Sequence, residues 1–148
     1  MAVFRIERFT SLPAAESWRR VTDWERHCAH VPLTRITVPT GLPTRIGTVF
    51  VARTGVGPLA FDDPMEVVRW MPPVTGRAGL CRLEKRGSVV LGRASIDVYP
   101  TKSGSHVVWV EELRIRLLPQ WGDPLIAGTG RRLFGRVLDG LLDGTVRP

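Results

Sequence analysis

Apolar residues in the last part of the chain recur with the period of an α-helix. Between residues 121 and 142, WGDPLIAGTGRRLFGRVLDGLL, a turn of about 100° per residue puts Ile126, Gly130, Leu133, Phe134, Val137, Leu138 and Leu141 on one stripe. Arg132, Arg136 and Asp139 gather on the opposite side. Asp123 followed by Pro124 is a start signal: an Asp side chain accepts from free first-turn N–H groups, and proline at the first helical position lacks a donor that would be unpaired anyway. The spacing predicts a helix over 123–142 with one buried face. Gly130 falls inside the apolar stripe, where glycine costs about 1 kcal/mol relative to alanine. Something needs that space, either a cavity or a close approach of packed elements.

The start of the chain follows the strand period, with Phe4 and Ile6 on one side and Arg5 and Glu7 on the other. Ser11 then offers a cap, Pro13 sits in a first turn, and Ala14, Trp18 and Val21 follow at helical spacing. A second short helix is predicted from Asp23, with Trp24, His27, Cys28 and Val31 on one face, Arg26 and His30 on the other, and Pro32 as its end. Strand patterns separated by Gly and Pro occupy 33–38, 48–54, 59–71, 80–86, 89–99 and 106–118. In the last of these Val107, Trp109, Glu111, Leu113, Ile115 and Leu117 share a face against Glu112, Arg114 and Arg116. Short connections imply antiparallel pairing, because a parallel return needs a long crossover. The expected fold is α+β: a seven-stranded curved antiparallel sheet wrapped around a long C-terminal helix, with two short helices after the first strand. Residues 1–148 suit a single domain.

Composition narrows the function. The chain is 43% hydrophobic and 24% charged, ordinary for a globular protein. No apolar run approaches the roughly 18 residues of a membrane span, so no integral membrane segment is expected. MAVFRIERF lacks the apolar core of a secretory signal, which points to the cytoplasm. Cys28 and Cys81 are then expected to be reduced core residues, with Cys28 packed under the sheet. The net charge is +7, and of 21 basic residues only Lys85 and Lys102 are lysine. Arginine forks suit phosphates, yet these arginines are scattered through nearly every element and form no recognition motif, so nucleic acid is not expected as a partner. The oligomeric state is left open.

Few motifs carry chemistry. His27, Cys28 and His30 match no zinc spacing, and no metal site is expected. The GTG at 128–130 lies inside a helix and lacks the GK[ST] ending of a phosphate loop, and no G-x-S-x-G elbow is present. No catalytic set and no cofactor are assigned. Gly92 and Ala94 on an inward strand face, with Gly130 on the helix, allow either tight packing or a cavity. The expected ligand-binding residues are Trp24, Cys28, Phe50, Met65, Trp109, Glu111, Gly130, Phe134 and Val137. Glu111 interrupts an apolar face, so its carboxylate must be paired, solvated or protonated. It either meets an arginine such as Arg53 or Arg82, or serves as a polar anchor or general acid/base. Asp62, Asp63 and Glu66 lie on a strand whose parity the pattern leaves unsettled.

The run AESWRRVTDWERHCAHVP, with Val21-Thr22-Asp23-Trp24 at the joint of the two short helices, and the strand EVVRWMPP, ending in Trp70-Met71-Pro72-Pro73, resemble the START-like (SRPBCC) superfamily. This helix-grip, Bet v 1-like fold is shared by polyketide cyclases and dehydrases, plant allergen-type lipid carriers and coenzyme Q-binding proteins. The resemblance covers essentially the whole chain. It implies a deep cavity between sheet and C-terminal helix, open near the paired helices and the strand-connecting loops. It further implies a hydrophobic small-molecule ligand: a lipid, an isoprenoid or a polyketide-like aromatic. Two alternatives stand beside that reading, a polyketide cyclase/dehydrase acting on a poly-β-keto substrate and an interaction module with a vestigial cavity.

Overall fold

The computed structural model describes residues 1–147. Strand β1 (Ala2–Thr10) leads into α1 (Ala14–Val21) and α2 (Trp24–His27), and one 3-10 turn (Cys28–His30) continues α2. Six strands follow: β2 (Thr34–Thr37), β3 (Val49–Thr54), β4 (Phe61–Met71), β5 (Gly79–Lys85), β6 (Val90–Thr101) and β7 (Gly104–Ile115). Helix α3 (Asp123–Leu142) precedes a two-residue β8 (Val146–Arg147). The sheet order is β2-β3-β4-β5-β6-β7-β1-β8, and all neighbours are antiparallel. The expected seven strands and three helices are thus present, in a curved sheet that holds α3. The short β8 is an addition: it pairs with the end of β1, a link too brief for a periodicity to reveal.

Local details differ from the pattern where a tertiary partner intervenes. Ser11 does not cap α1; its amide is held by the Thr145 carbonyl at 3.2 Å, and Pro13 stands at the cap position. Asp123 is the first helical residue, behind Gly122, and makes no cap bond. Its carboxylate accepts instead from the Met1 ammonium at 2.7 Å, a favourable placement of negative charge at a helix start. Strand β7 ends at Ile115, so Leu117 leaves the buried face and is exposed.

The concave face of the sheet is apolar because alternate side chains point to it. One cross-strand row runs Val67, Leu83, Ala94, Glu111, Phe4 through β4, β5, β6, β7 and β1. All five are buried. Helix α3 lies chiefly against β1, with Val137, Leu138, Leu141 and Leu142 fully buried and Ile126 and Phe134 half-buried on its inner side. Arg8 on β1 bonds Asp139 on α3 at 2.7 Å.

Gly130 explains how the helix comes so near. A Cβ at this position would overlap the edge of the Phe4 ring, 2.8 Å from Cζ and nearer still to Cε1. Phe4 has nowhere to retreat, since it is buried and stacked on Phe134 with ring centroids 5.6 Å apart. The glycine therefore makes room for a side chain of the protein, and its expected place in a ligand site is corrected. Gly92 answers to a similar constraint, with φ at +131° and a Cβ that would overlap the Glu112 carbonyl. Gly130→Ala is expected to lower stability by about 1–3 kcal/mol through overpacking, despite a gain of about 1 kcal/mol in helix propensity. Most of that penalty should vanish in a Phe4→Leu background; chemical unfolding of the four proteins of this double-mutant cycle measures it.

Candidate functional site

With α3 set against β1, the remaining concave face is not filled, and a cavity of about 270 Å³ lies between it and the helix. Its floor is Phe50 and Ala52 on β3, Phe61 and Met65 on β4 and Leu83 on β5. Trp109 and Leu113 of β7 form one side, with Leu133, Phe134 and Val137 of α3 above. Trp24 and His27 of α2 close one end. Seven of the nine residues expected to bind ligand line this space: Trp24, Phe50, Met65, Trp109, Glu111, Phe134 and Val137. Gly130 and Cys28 do not. The 3-10 turn after His27 rotates Cys28 away from the core, so it is only half-buried and its thiol donates to the Glu25 carbonyl at 2.9 Å.

The closed end is built from interlocked rings. Trp24 stacks on Phe50 at 4.3 Å and donates from Nε1 to Thr44 Oγ1 at 3.1 Å. His27 lies 5.4 Å from Trp109, which meets Phe134 edge-on at 5.1 Å. Trp24, His27 and Trp109 are buried, whereas Thr34 and Ile36 on β2, Thr54 and Phe61 beside the β3–β4 turn, and Leu133 on α3 are partly exposed. The partly exposed walls of the cavity are thus β2, that turn and the middle of α3. Of the two openings expected, the strand-connecting β3–β4 turn is where the lining is partly exposed, while the buried Trp24 and His27 line the end at the paired helices.

Carboxyl and ammonium groups enter the apolar wall together at one place. Lys85, its side chain 4% exposed, donates from Nζ to Asp63 Oδ2 at 2.8 Å and lies 3.5 Å from the Met65 sulfur. Glu111, 2% exposed, accepts at Oε1 from Trp109 Nε1 at 3.1 Å. Asp63 Oδ1 and Glu111 Oε2 are buried with no hydrogen-bond partner among the described residues. Burial pushes the Glu111 carboxyl above its ordinary range; Lys85 and the Trp109 bond oppose the shift and Asp63 adds to it. Lys85 is held above the usual lysine value, its burial outweighed by Glu111 and Asp63 together. The register explains the meeting. Lys85 pairs with Met65, two residues from Asp63, and the β6 residues near the height of Lys85 and Glu111 are Gly92 and Ala94, too small to separate them.

The arginine partners expected for Glu111 are engaged elsewhere, Arg53 with Asp62 and Arg82 with Asp97 on other faces of the strands. Asp63 is one of the three β4 carboxylates whose parity the pattern leaves unsettled, and Lys85 carries no site expectation. A signal for Lys85 exists in β5, where Gly79, Cys81 and Leu83 share its parity and are all buried. Asp63 shares parity with Phe61, Met65 and Val67, but a register shift between Val67 and Arg69 breaks that alternation before Trp70. His27, Cys28 and His30 do not converge, because His27 donates from Nε2 to the Val21 carbonyl at 2.8 Å and His30 packs on Gly140. Among the described residues no helix is long and apolar enough to cross a membrane.

A curved antiparallel sheet closed over a long C-terminal helix, with paired short helices after the first strand, is the helix-grip, Bet v 1-like fold. Solved structures agree. A protein from Thermus thermophilus superimposes with a TM-score of 0.74 at 15% identity, over 95% of this chain and 94% of that one. Ara h 8.0201 gives 0.63 at 12% identity, covering 96% and 98%. The Zhui aromatase/cyclase from Streptomyces sp. R1128 gives 0.64 at 13% identity, covering 95% and 90%. Neither a protein-family model nor a curated protein sequence matches the chain.

Two outcomes follow from the titratable groups. Burial lowers His27 from the usual 6.5 to about 4, so the unfolded chain takes up a proton that the folded one refuses between those values. The stability tied to neutral His27 is complete above about pH 6.5 and falls as the pH drops towards 4, by about 3 kcal/mol at most. Glu111, shifted upward, works in the opposite direction: the folded protein gains stability as the pH falls through its raised value. Urea unfolding across this range should therefore give a steeper pH dependence for the native protein than for His27→Phe, by close to one proton. The thiols should also differ. Cys81 is buried and its pKa is pushed up to about 12 by desolvation, so a thiol reagent should label Cys28 in the native state and reach Cys81 only on unfolding.

Proposed function

We propose that this chain is a single START-like domain that binds a hydrophobic small molecule between its sheet and α3. The observation that carries the reading is the cavity itself: about 270 Å³ of space walled chiefly by aromatic and aliphatic side chains, with the carboxyl and ammonium groups gathered in one cluster. Interior ligand sites have this make-up, an apolar lining with a few placed polar groups. The ring stack at the closed end supports it further, since interlocked aromatics hold a shape without reorganising when a ligand enters. A lipid, an isoprenoid or a polyketide-like aromatic would suit such walls.

A second reading, cyclase or dehydrase chemistry on a poly-β-keto chain, is favoured by one specific feature. Glu111 is a buried carboxyl whose raised pKa brings it nearer the range where a general acid works, and it sits beside a lysine and a second carboxylate. The aromatase/cyclase among the structural neighbours is consistent with that reading at the level of fold.

The test of binding uses N-phenyl-1-naphthylamine, a neutral dye that brightens in apolar surroundings. Ala52 faces the cavity from β3, so Ala52→Trp should fill the space and weaken dye binding at least about ten-fold, equivalent to roughly 1.4 kcal/mol, while the protein keeps its circular dichroism spectrum. Equal dye binding by a folded Ala52→Trp variant would remove the cavity as the binding place. Mass spectrometry of a denaturing extract of purified protein identifies any natural occupant. Conversion of a poly-β-ketone surrogate, abolished in Glu111→Gln, would instead establish the enzymatic reading.

A further inference from the structure

The polar cluster narrows the class of ligand. Three ionisable side chains from three strands, Asp63, Lys85 and Glu111, meet on an otherwise apolar wall. Within the protein their hydrogen bonding is incomplete. Asp63 uses Oδ2 for Lys85 and Glu111 uses Oε1 for Trp109, leaving Asp63 Oδ1 and Glu111 Oε2 buried and bare. A buried acceptor without a donor costs about 1–3 kcal/mol. Asp63 Oδ1 lacks a donor, and Glu111 Oε2 lacks a donor when ionised and an acceptor when protonated, so the pair is the complement of a group from outside the chain that can both donate and accept.

Charge decides what kind of group. The cluster holds two carboxyl groups and a single ammonium, and that ammonium is already bonded to Asp63. With Glu111 protonated the sum is zero, and with Glu111 ionised it is negative. Neither state welcomes a third carboxylate, which would have to be desolvated without a free cation to meet it. A hydroxyl fits better. It can donate to one of the bare carboxyl oxygens, and its lone pairs can accept from the ammonium, which has three protons and directs bonds to Asp63 and the Met65 sulfur. Because burial moves Glu111 towards its neutral form, a neutral hydroxyl also suits the cluster better than a cationic amine.

The geometry points to an apolar ligand bearing a hydroxyl, as a phenol, an enol or an alcohol, whose oxygen sits at the Asp63–Lys85–Glu111 cluster while its hydrocarbon body lies against Trp109, Phe134 and Phe50. This rests on the binding reading proposed above and goes beyond it, since it separates hydroxylated ligands from fatty acids and from plain hydrocarbons.

Matched probes on one skeleton test it: naphthalene, 2-naphthol, 2-naphthoate and 2-naphthylmethylamine, each displacing N-phenyl-1-naphthylamine from the full chain at neutral pH. The expected order is 2-naphthol first, about ten-fold tighter than naphthalene, with 2-naphthoate weaker than either. Glu111→Leu should bring the ratio of naphthol to naphthalene affinity close to one, in a variant whose near-UV circular dichroism and cooperative urea unfolding show native packing. If naphthol and naphthalene bind equally, or if the carboxylate or the amine binds more tightly than naphthol, the hydroxyl assignment is overturned while the binding reading stands. If neither the dye nor any of the four probes binds, the binding reading itself fails, and the hydroxyl assignment with it.

Discussion

The contact between Gly130 and Phe4 sets the position of everything else. A helix laid centrally over a concave sheet would fill it, but here the absent side chain of Gly130 lets the Phe4 ring press against the helix backbone. Helix α3 is drawn to β1, at one side of the curve. Phe134, stacked on Phe4, then turns its other side to Trp109, and the ring chain continues to His27, Trp24 and Phe50. The space left over β2 to β7 is the cavity. Glycine creates it indirectly, by fixing where the helix goes.

Burial of the Asp63–Lys85–Glu111 cluster works against the stability of the core. An ion pair out of water gains from mutual attraction but loses hydration, and replacement by apolar side chains of equal volume is often neutral or stabilising. Two unpaired carboxyl oxygens deepen the loss. The fold tolerates this because rigid neighbours hold the cluster: Trp109 fixes one Glu111 oxygen, and the antiparallel ladder fixes the strands on either side. Groups kept at such a cost beside a cavity are where a ligand would contribute most, since it restores interactions the chain lacks.

Charge elsewhere follows ordinary rules. Exposed arginines are spread over the outer strand faces and pair across strands with carboxylates, as Arg53 does with Asp62 and Arg86 with Glu66. Such pairs are individually weak. They leave the inner face to apolar residues, which makes the one lysine on that face conspicuous in a chain that otherwise uses arginine almost throughout.

What the sequence determined by itself was whatever repeats locally. The helix over 123–142, the alternation of β1, β6 and β7 and the break between strands and helices are properties of neighbours along the chain, and hydrophobic period reports them directly. Glu111 stood out for the same reason, as one charge in an apolar row. Tertiary structure alone decided which residues meet across the sheet. Lys85 and Asp63 join Glu111 through register and through the small residues of β6, Cys28 turns outward because α2 tightens into a 3-10 turn, and Gly130 faces Phe4 because α3 lies on β1. These depend on contacts between residues far apart in the chain, for which a side-chain pattern specifies the face of an element but not the partner opposite it.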